Sequence, residues 1–67
     1  MTLEELSARE IYDTYANNRE PASLIDEGRT ALATRLRVVE GLAQRDAYYA
    51  ADQILVYARQ LVEGQSS

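Results

Sequence analysis

The spacing of apolar residues between positions 22 and 63 sets the strongest limit on the fold. They recur at intervals of three and four residues, which is the period of a helix that buries one face. A first stripe comprises Leu24, Ile25, Ala31, Leu32, Leu36, Val39 and Leu42, with Gly28 on the same side. A second stripe comprises Ala47, Ala51, Ile54, Leu55, Ala58, Leu61 and Val62. On one continuous helical wheel the stripes lie about 120° apart, so a single uninterrupted helix cannot bury both against one partner.

The chain must therefore break between the two stripes. Gly41 can end the first helix in a left-handed conformation, and Asp46 can cap the start of the next. We predict helices over about 22–40 and 46–63, which pair as an antiparallel hairpin. Gly64 is expected to end the helix over 46–63. On the helix over 22–40, the residues expected to face outward are Asp26, Thr30, Ala33, Thr34, Arg37 and Glu40.

A third, shorter helix is predicted near the amino terminus. Ser7 and Glu10 have the spacing of a capping box, in which each residue's side chain accepts a hydrogen bond from the other's amide. Asn17 tolerates the left-handed conformation that ends helices, and Pro21 suits the first turn of the next helix. The prediction is a single all-α domain over residues 1–67, in which a helix at about 7–18 packs on the hairpin.

Composition argues against enzymatic chemistry. The chain has no Cys and no His, which removes the thiol nucleophile, the usual general base and the commonest metal ligands. All seven basic residues are Arg, so no Lys is present to form a Schiff base. The adjacent carboxylate pairs Glu4/Glu5 and Asp26/Glu27 are better explained as favourable charges at helix starts than as an acid–base pair. We expect no catalytic residue, cofactor, metal or small-molecule substrate.

Charge is uneven along the sequence. Residues 1–27 hold seven carboxylates and two Arg, whereas residues 28–67 hold four carboxylates and five Arg. The acidic segment can dock on a basic partner or complement helix amino termini, and we favour the second interpretation. Arg29, Arg35 and Arg37 point in different directions on a helical wheel, and the isoelectric point is about 4.6, so nucleic acid is not a favoured partner.

The size of the chain favours self-association. A domain of 67 residues buries a small core, which oligomerisation commonly supplements. No apolar run is long enough to span a membrane, and the first residues are acidic where a secretory signal would be basic. We expect a cytoplasmic protein with no membrane partner.

Candidate interface residues come from positions that ordinary helix patterning does not explain. Arg35 lies within the first apolar stripe, so its charge either reaches Asp46 or Asp52 or pairs across an interface. A second, semi-apolar line on the last helix faces away from its core stripe, and either another subunit or the first helix covers it. Tyr12 and Tyr15 join the set because tyrosine suits partly exposed interfaces. That second line is Tyr49, Gln53, Val56 and Gln60.

These patterns favour a non-catalytic protein–protein interaction module. We expect a small adaptor or regulator that binds a protein partner and self-associates. An acidic inhibitor that blocks a basic site as a nucleic-acid mimic is the alternative, and a DNA-binding regulator ranks third.

Overall fold

The computed structural model describes residues 2–17 and 19–66, and within them the backbone forms helices and turns with no β-strand. A 3₁₀ turn, Leu3–Glu5, precedes α1, Ala8–Ile11, which continues as a π-helical turn, Tyr12–Ala16. α2 spans Pro21–Glu27, α3 spans Arg29–Val39 and α4 spans Gln44–Ser66. The all-α prediction is confirmed, but the described residues form four helices in place of the predicted three.

The additional helix arises because the predicted helix over 22–40 is broken at Gly28. Gly28 has φ 87° and ψ 166°, a backbone conformation that is essentially restricted to glycine and ends α2. Its carbonyl then accepts the first hydrogen bond of α3, from the amide of Leu32 at 3.1 Å. The prediction of one continuous helix here is wrong. Gly28 fits the apolar spacing of the buried face, but its backbone conformation interrupts the helix.

The break also changes which residues of α3 are buried. Leu32, Ala33 and Leu36 face the core, whereas Ala31 and Val39 are exposed. The predicted orientations of Ala31, Ala33 and Val39 are therefore wrong. The turn at Gly28 rotates α3 relative to α2, so a wheel continued from α2 misplaces Ala31 and Ala33, whereas Val39 is exposed because it lies in the last turn of α3.

The first helix begins where its capping box predicts. Ser7 Oγ accepts a hydrogen bond from the Glu10 amide at 3.2 Å, and Glu10 Oε2 accepts one from the Ser7 amide at 2.7 Å. The helix widens into its π-helical turn and ends at Asn17, which has φ 42°. The predicted end at residue 18 lies outside the described residues. Pro21 is the first residue of α2, as predicted.

The α3–α4 connection agrees with prediction at Gly41 and differs at both ends of α4. Gly41 has φ 72°, and the Leu42 amide donates to the Leu36 carbonyl at 3.4 Å, which reverses the chain. α4 begins at Gln44, so Asp46 lies in its first turn and does not cap it. The helix also continues through Gly64, which was predicted to end it.

The core is organised around α4, against which α1, α2 and α3 all pack. Small side chains on α4 let the other helices approach closely, while larger ones from each helix fill the space between them. The alanines of α4 that are buried are Ala47, Ala50, Ala51 and Ala58, and the largest fully buried side chains are Ile11, Leu24, Leu32, Leu36 and Ile54. None of the described helices is long and apolar enough to cross a membrane.

Candidate interaction surface

The described surface has a broad depression beside the amino end of α4, with a volume of about 1180 Å³. We call it the tyrosine depression. The 3₁₀ turn, the π-helical turn, the start of α3 and the α3–α4 connection all contribute to its walls. Its apolar and aromatic lining is Leu3, Leu6, Tyr15, Leu42, Tyr48 and Tyr49, and its charged lining is Glu4, Arg29, Arg45, Asp46 and Asp52.

One wall of the depression is fixed by Arg29, the first residue of α3. Its Nε donates to Asp52 Oδ1 at 2.7 Å and its Nη2 donates to Asp52 Oδ2 at 3.4 Å. The guanidinium carbon also lies 4.6 Å from the centre of the Tyr48 ring, within the range of a cation–π contact. This bidentate and stacked arrangement holds α3 and α4 in register beside the depression.

The remaining charges of the depression are less tightly held. Arg45 Nη2 lies 3.7 Å from Glu4 Oε1, and both side chains are largely exposed. Asp46 is exposed and makes no ion pair with any residue that the structure describes. The rim therefore carries one carboxylate whose charge nothing in the described chain balances directly.

The predicted tyrosines separate into two groups. Tyr15 and Tyr49 are half-buried and line the same depression. Tyr12 is only 8% exposed, and its hydroxyl donates to the Arg19 carbonyl at 3.0 Å. Its ring meets that of Tyr57 edge-on, with centroids 5.1 Å apart. These contacts lie within the chain, so an interface role for Tyr12 stays a prediction.

Burial raises the pKa of the Tyr12 hydroxyl, and the neighbouring Tyr57 and Asp13 raise it further. The neutral phenol is therefore the form that the folded chain favours, as its hydrogen bond to the Arg19 carbonyl requires. Because the folded-state pKa lies above the ordinary value, this contribution to stability is complete below that value and is lost as pH rises through the folded-state pKa.

Arg35 has its partner inside the chain. Its Nη2 lies 3.3 Å from Glu27 Oε2, and the same oxygen lies 2.9 Å from Arg19 Nη2. The predicted partners Asp46 and Asp52 are wrong, because the turn at Gly28 places the end of α2 beside α3 and because Asp52 pairs with Arg29. The Arg35 side chain is 28% exposed, and its role in an interface stays a prediction.

The predicted line on α4 is only partly covered by the chain itself. Tyr49 and Gln53 are half-buried, Gln60 is exposed and Val56 is 43% exposed. Tyr49 packs against the core, so that end of the line has contacts within the chain. Packing of α1 on α4 does not bury Val56, which leaves the middle of the line open.

Two exposed valines were not predicted, and they are the most exposed large apolar residues among those that the structure describes. Val38 is 78% exposed and Val39 is 69% exposed, both in the last turn of α3. Val39 was predicted to be buried and Val38 was not singled out. On the helical wheel Val38 points away from Leu32 and Leu36, whereas Val39 lies on their side and is exposed because it falls in the last turn of α3, which the core leaves uncovered.

The acidic amino-terminal segment is mostly engaged with its own chain. Glu5 Oε2 accepts a hydrogen bond from the Thr2 amide at 3.2 Å, and Glu10 Oε2 accepts one from the Ser7 amide at 2.7 Å. Glu4, Asp13 and Glu27 lie in ion pairs with arginines. Within the described residues, this leaves Glu20 and Asp26 as the segment's carboxylates without such a contact. The helix-start interpretation accounts for Glu5 and Glu10, but it is wrong for Asp26 and Glu27, which are the last two residues of α2 because Gly28 ends that helix.

Comparisons of the chain with protein-family models, with curated protein sequences and with solved structures find no match. Among the described residues, no group of three or more acidic side chains is placed to hold a metal ion.

Proposed function

We propose that this chain is a non-catalytic protein–protein interaction domain, a small cytoplasmic adaptor or regulator that self-associates into a homodimer. The observation that carries the proposal is the tyrosine depression. It brings half-buried leucines and three tyrosines together with two arginines on an open surface. Protein interfaces are enriched in tyrosine and arginine and combine apolar centres with polar rims.

The shape and size of the depression support a macromolecular partner over a small ligand. Its volume of about 1180 Å³ exceeds the usual range of small-molecule sites, roughly 300–1,000 Å³, and it is open to solvent. Its lining is drawn from the short amino-terminal turns as well as from α3 and α4. A partner seated there would tie the 3₁₀ turn to the hairpin and enlarge the small core of the chain.

The acidic-inhibitor alternative receives less support. A nucleic-acid mimic needs a continuous field of free carboxylates, and most of the acidic segment is bound to amides or arginines of its own chain. The tyrosine depression mixes both signs of charge, which suits contact between proteins better than docking on a strongly basic site.

Sedimentation velocity over a dilution series, from about 1 to about 100 µM, tests the proposal. We expect the sedimenting mass to rise from that of one 7.5 kDa chain to twice that value, with little change between low and high salt. A single chain at every concentration would contradict self-association. Binding to a basic protein that disappears at high salt would support the acidic inhibitor instead.

A further inference from the structure

The end of α3 presents a small apolar surface with one positive charge. Val38 and Val39 are neighbours in the last helical turn, at 78% and 69% exposed. Arg37 precedes them, is exposed and makes no ion pair with the described residues. We call residues 37–39 the valine end of α3. Valine loses little side-chain freedom on burial, so two exposed valines favour association at small entropic cost.

The tyrosine depression begins only a few residues further along the chain. Leu42 lies in its wall immediately after the turn at Gly41, and Asp46 follows in the first turn of α4. Tyr15 lines the depression and also lies beside Val39 in a smaller groove of about 150 Å³. Val39 is thus adjacent to the depression through Tyr15, and Val38 and Arg37 follow it around the last turn of α3.

The two parts have complementary chemistry. The valine end offers exposed apolar groups and an unbalanced positive charge, whereas the depression offers half-buried leucines and the unbalanced carboxylate of Asp46. Within one molecule, Arg37 and Asp46 do not pair. Across two molecules, an Arg37–Asp46 contact would balance both charges at the edge of the apolar contact.

We propose that the tyrosine depression binds the valine end of a second copy of this chain, and that the second copy's depression receives the valine end of the first. Because the two complementary parts are adjacent, one two-fold axis lets each contact form twice and closes the assembly as a dimer. This inference rests on the proposed self-association and assigns it a surface, which places Val56 outside the interface.

Charge reversal tests the pairing directly. Arg37→Glu alone places two carboxylates at each Arg37–Asp46 contact, and Asp46→Arg alone places two guanidiniums there. We expect each variant to dimerise at least about tenfold more weakly than the wild-type chain. When the two variants are mixed, every contact again joins opposite charges, so a mixed dimer should form with near wild-type affinity, as measured by sedimentation or native mass spectrometry.

Valine variants provide a test that does not depend on charge. Val38→Ser combined with Val39→Ser removes the apolar contact and should weaken the dimer by about tenfold or more, because the apolar side chains no longer leave water on association. Val56→Ser is the matched control, because Val56 is also exposed, and it should leave dimerisation unchanged. All altered residues are exposed, so circular dichroism should show wild-type helicity in every variant.

The outcomes separate this inference from the proposed function. A wild-type chain that stays monomeric overturns both. A dimer that survives loss of both valines, or that Val56→Ser weakens instead, leaves self-association standing and overturns the assigned surface. Failure of the two charge variants to form a mixed dimer, although each alone is weakened, would show that Arg37 and Asp46 act at separate places and would overturn the two-fold arrangement.

Discussion

α4 and the α2–α3 segment have similar apolar spacing in the sequence, yet only α4 is the continuous helix that this spacing predicts. In α4 the predicted face, including Ala51, Ile54 and Ala58, is buried. In the segment over 21–39, Gly28 divides the helix and rotates the second part. The spacing of apolar residues therefore identifies which residues are helical, whereas the backbone conformation of one residue decides whether two helical stretches share one axis.

The sharpest test of this comparison is a matched pair of core truncations. Leu36→Ala on α3 and Ile54→Ala on α4 each remove a fully buried side chain and should each lower the free energy of unfolding by about 2–4 kcal/mol. Chemical denaturation measures both. Val39→Ala is the control at about 1 µM, where we expect a monomer, because Val39 is 69% exposed and its effect there should stay within about 0.5 kcal/mol. A large loss at Val39 would mean that the last turn of α3 is buried against the core.

Glycine substitutions test the break itself. Alanine at Gly28 meets no atom within 4 Å, so its cost comes from the backbone conformation and should be about 1–3 kcal/mol. Gly64 lies inside α4, where an added Cβ would again meet no atom within 4 Å. Gly64→Ala should therefore stabilise the chain by about 0.5–1 kcal/mol. Thermal melts would decide. A stabilising Gly28→Ala would indicate that residues 21–39 prefer one straight helix.

Two serines extend the comparison to helix starts. Ser7 accepts a hydrogen bond from the Glu10 amide, so Ser7→Ala should cost about 1 kcal/mol. Ser23 lies inside α2, which begins at Pro21, so its side chain caps no helix start. Ser23→Ala should therefore change stability by no more than about 0.5 kcal/mol. Equal losses at the two serines would show that α2 begins later than Pro21.

The smallest expected effect is at Arg35. Arg35→Met keeps the apolar stem of the side chain, and Glu27 Oε2 keeps its ion pair with Arg19 Nη2 at 2.9 Å. We therefore expect the free energy of unfolding to change by about 0.5 kcal/mol or less. Dimerisation should also be unchanged, because the Arg35 pair lies within one chain. An association at least about tenfold weaker in this variant would place Arg35 in the interface, as its sequence position suggested.

Local signals predicted much of the fold, and long-range contacts explain what was missed. The Ser7–Glu10 box, the left-handed Asn17 and Gly41, and the buried face of α4 all follow from residues close together in sequence. The partner of Arg35 could not be predicted in the same way, because it depends on the angle between α2 and α3.

The candidate site was predicted in part for the same reason. Tyr15 was identified from its residue type and Tyr49 from its position on the second line of the last helix, and both line one depression. Their shared location depends on how the amino-terminal turns pack on α4. Val38 and Val39 were missed because apolar spacing does not show how far along α3 the other helices cover it.

The central claim is that the chain self-associates through the tyrosine depression and the valine end of α3. Amide NMR spectra over a dilution series, from about 10 µM to about 1 mM, test this residue by residue. We predict concentration-dependent shifts at residues 37–39 and 42–49, with none at 53–60. Spectra that do not change with concentration would contradict self-association, and shifts centred on 53–60 would contradict the assigned surface.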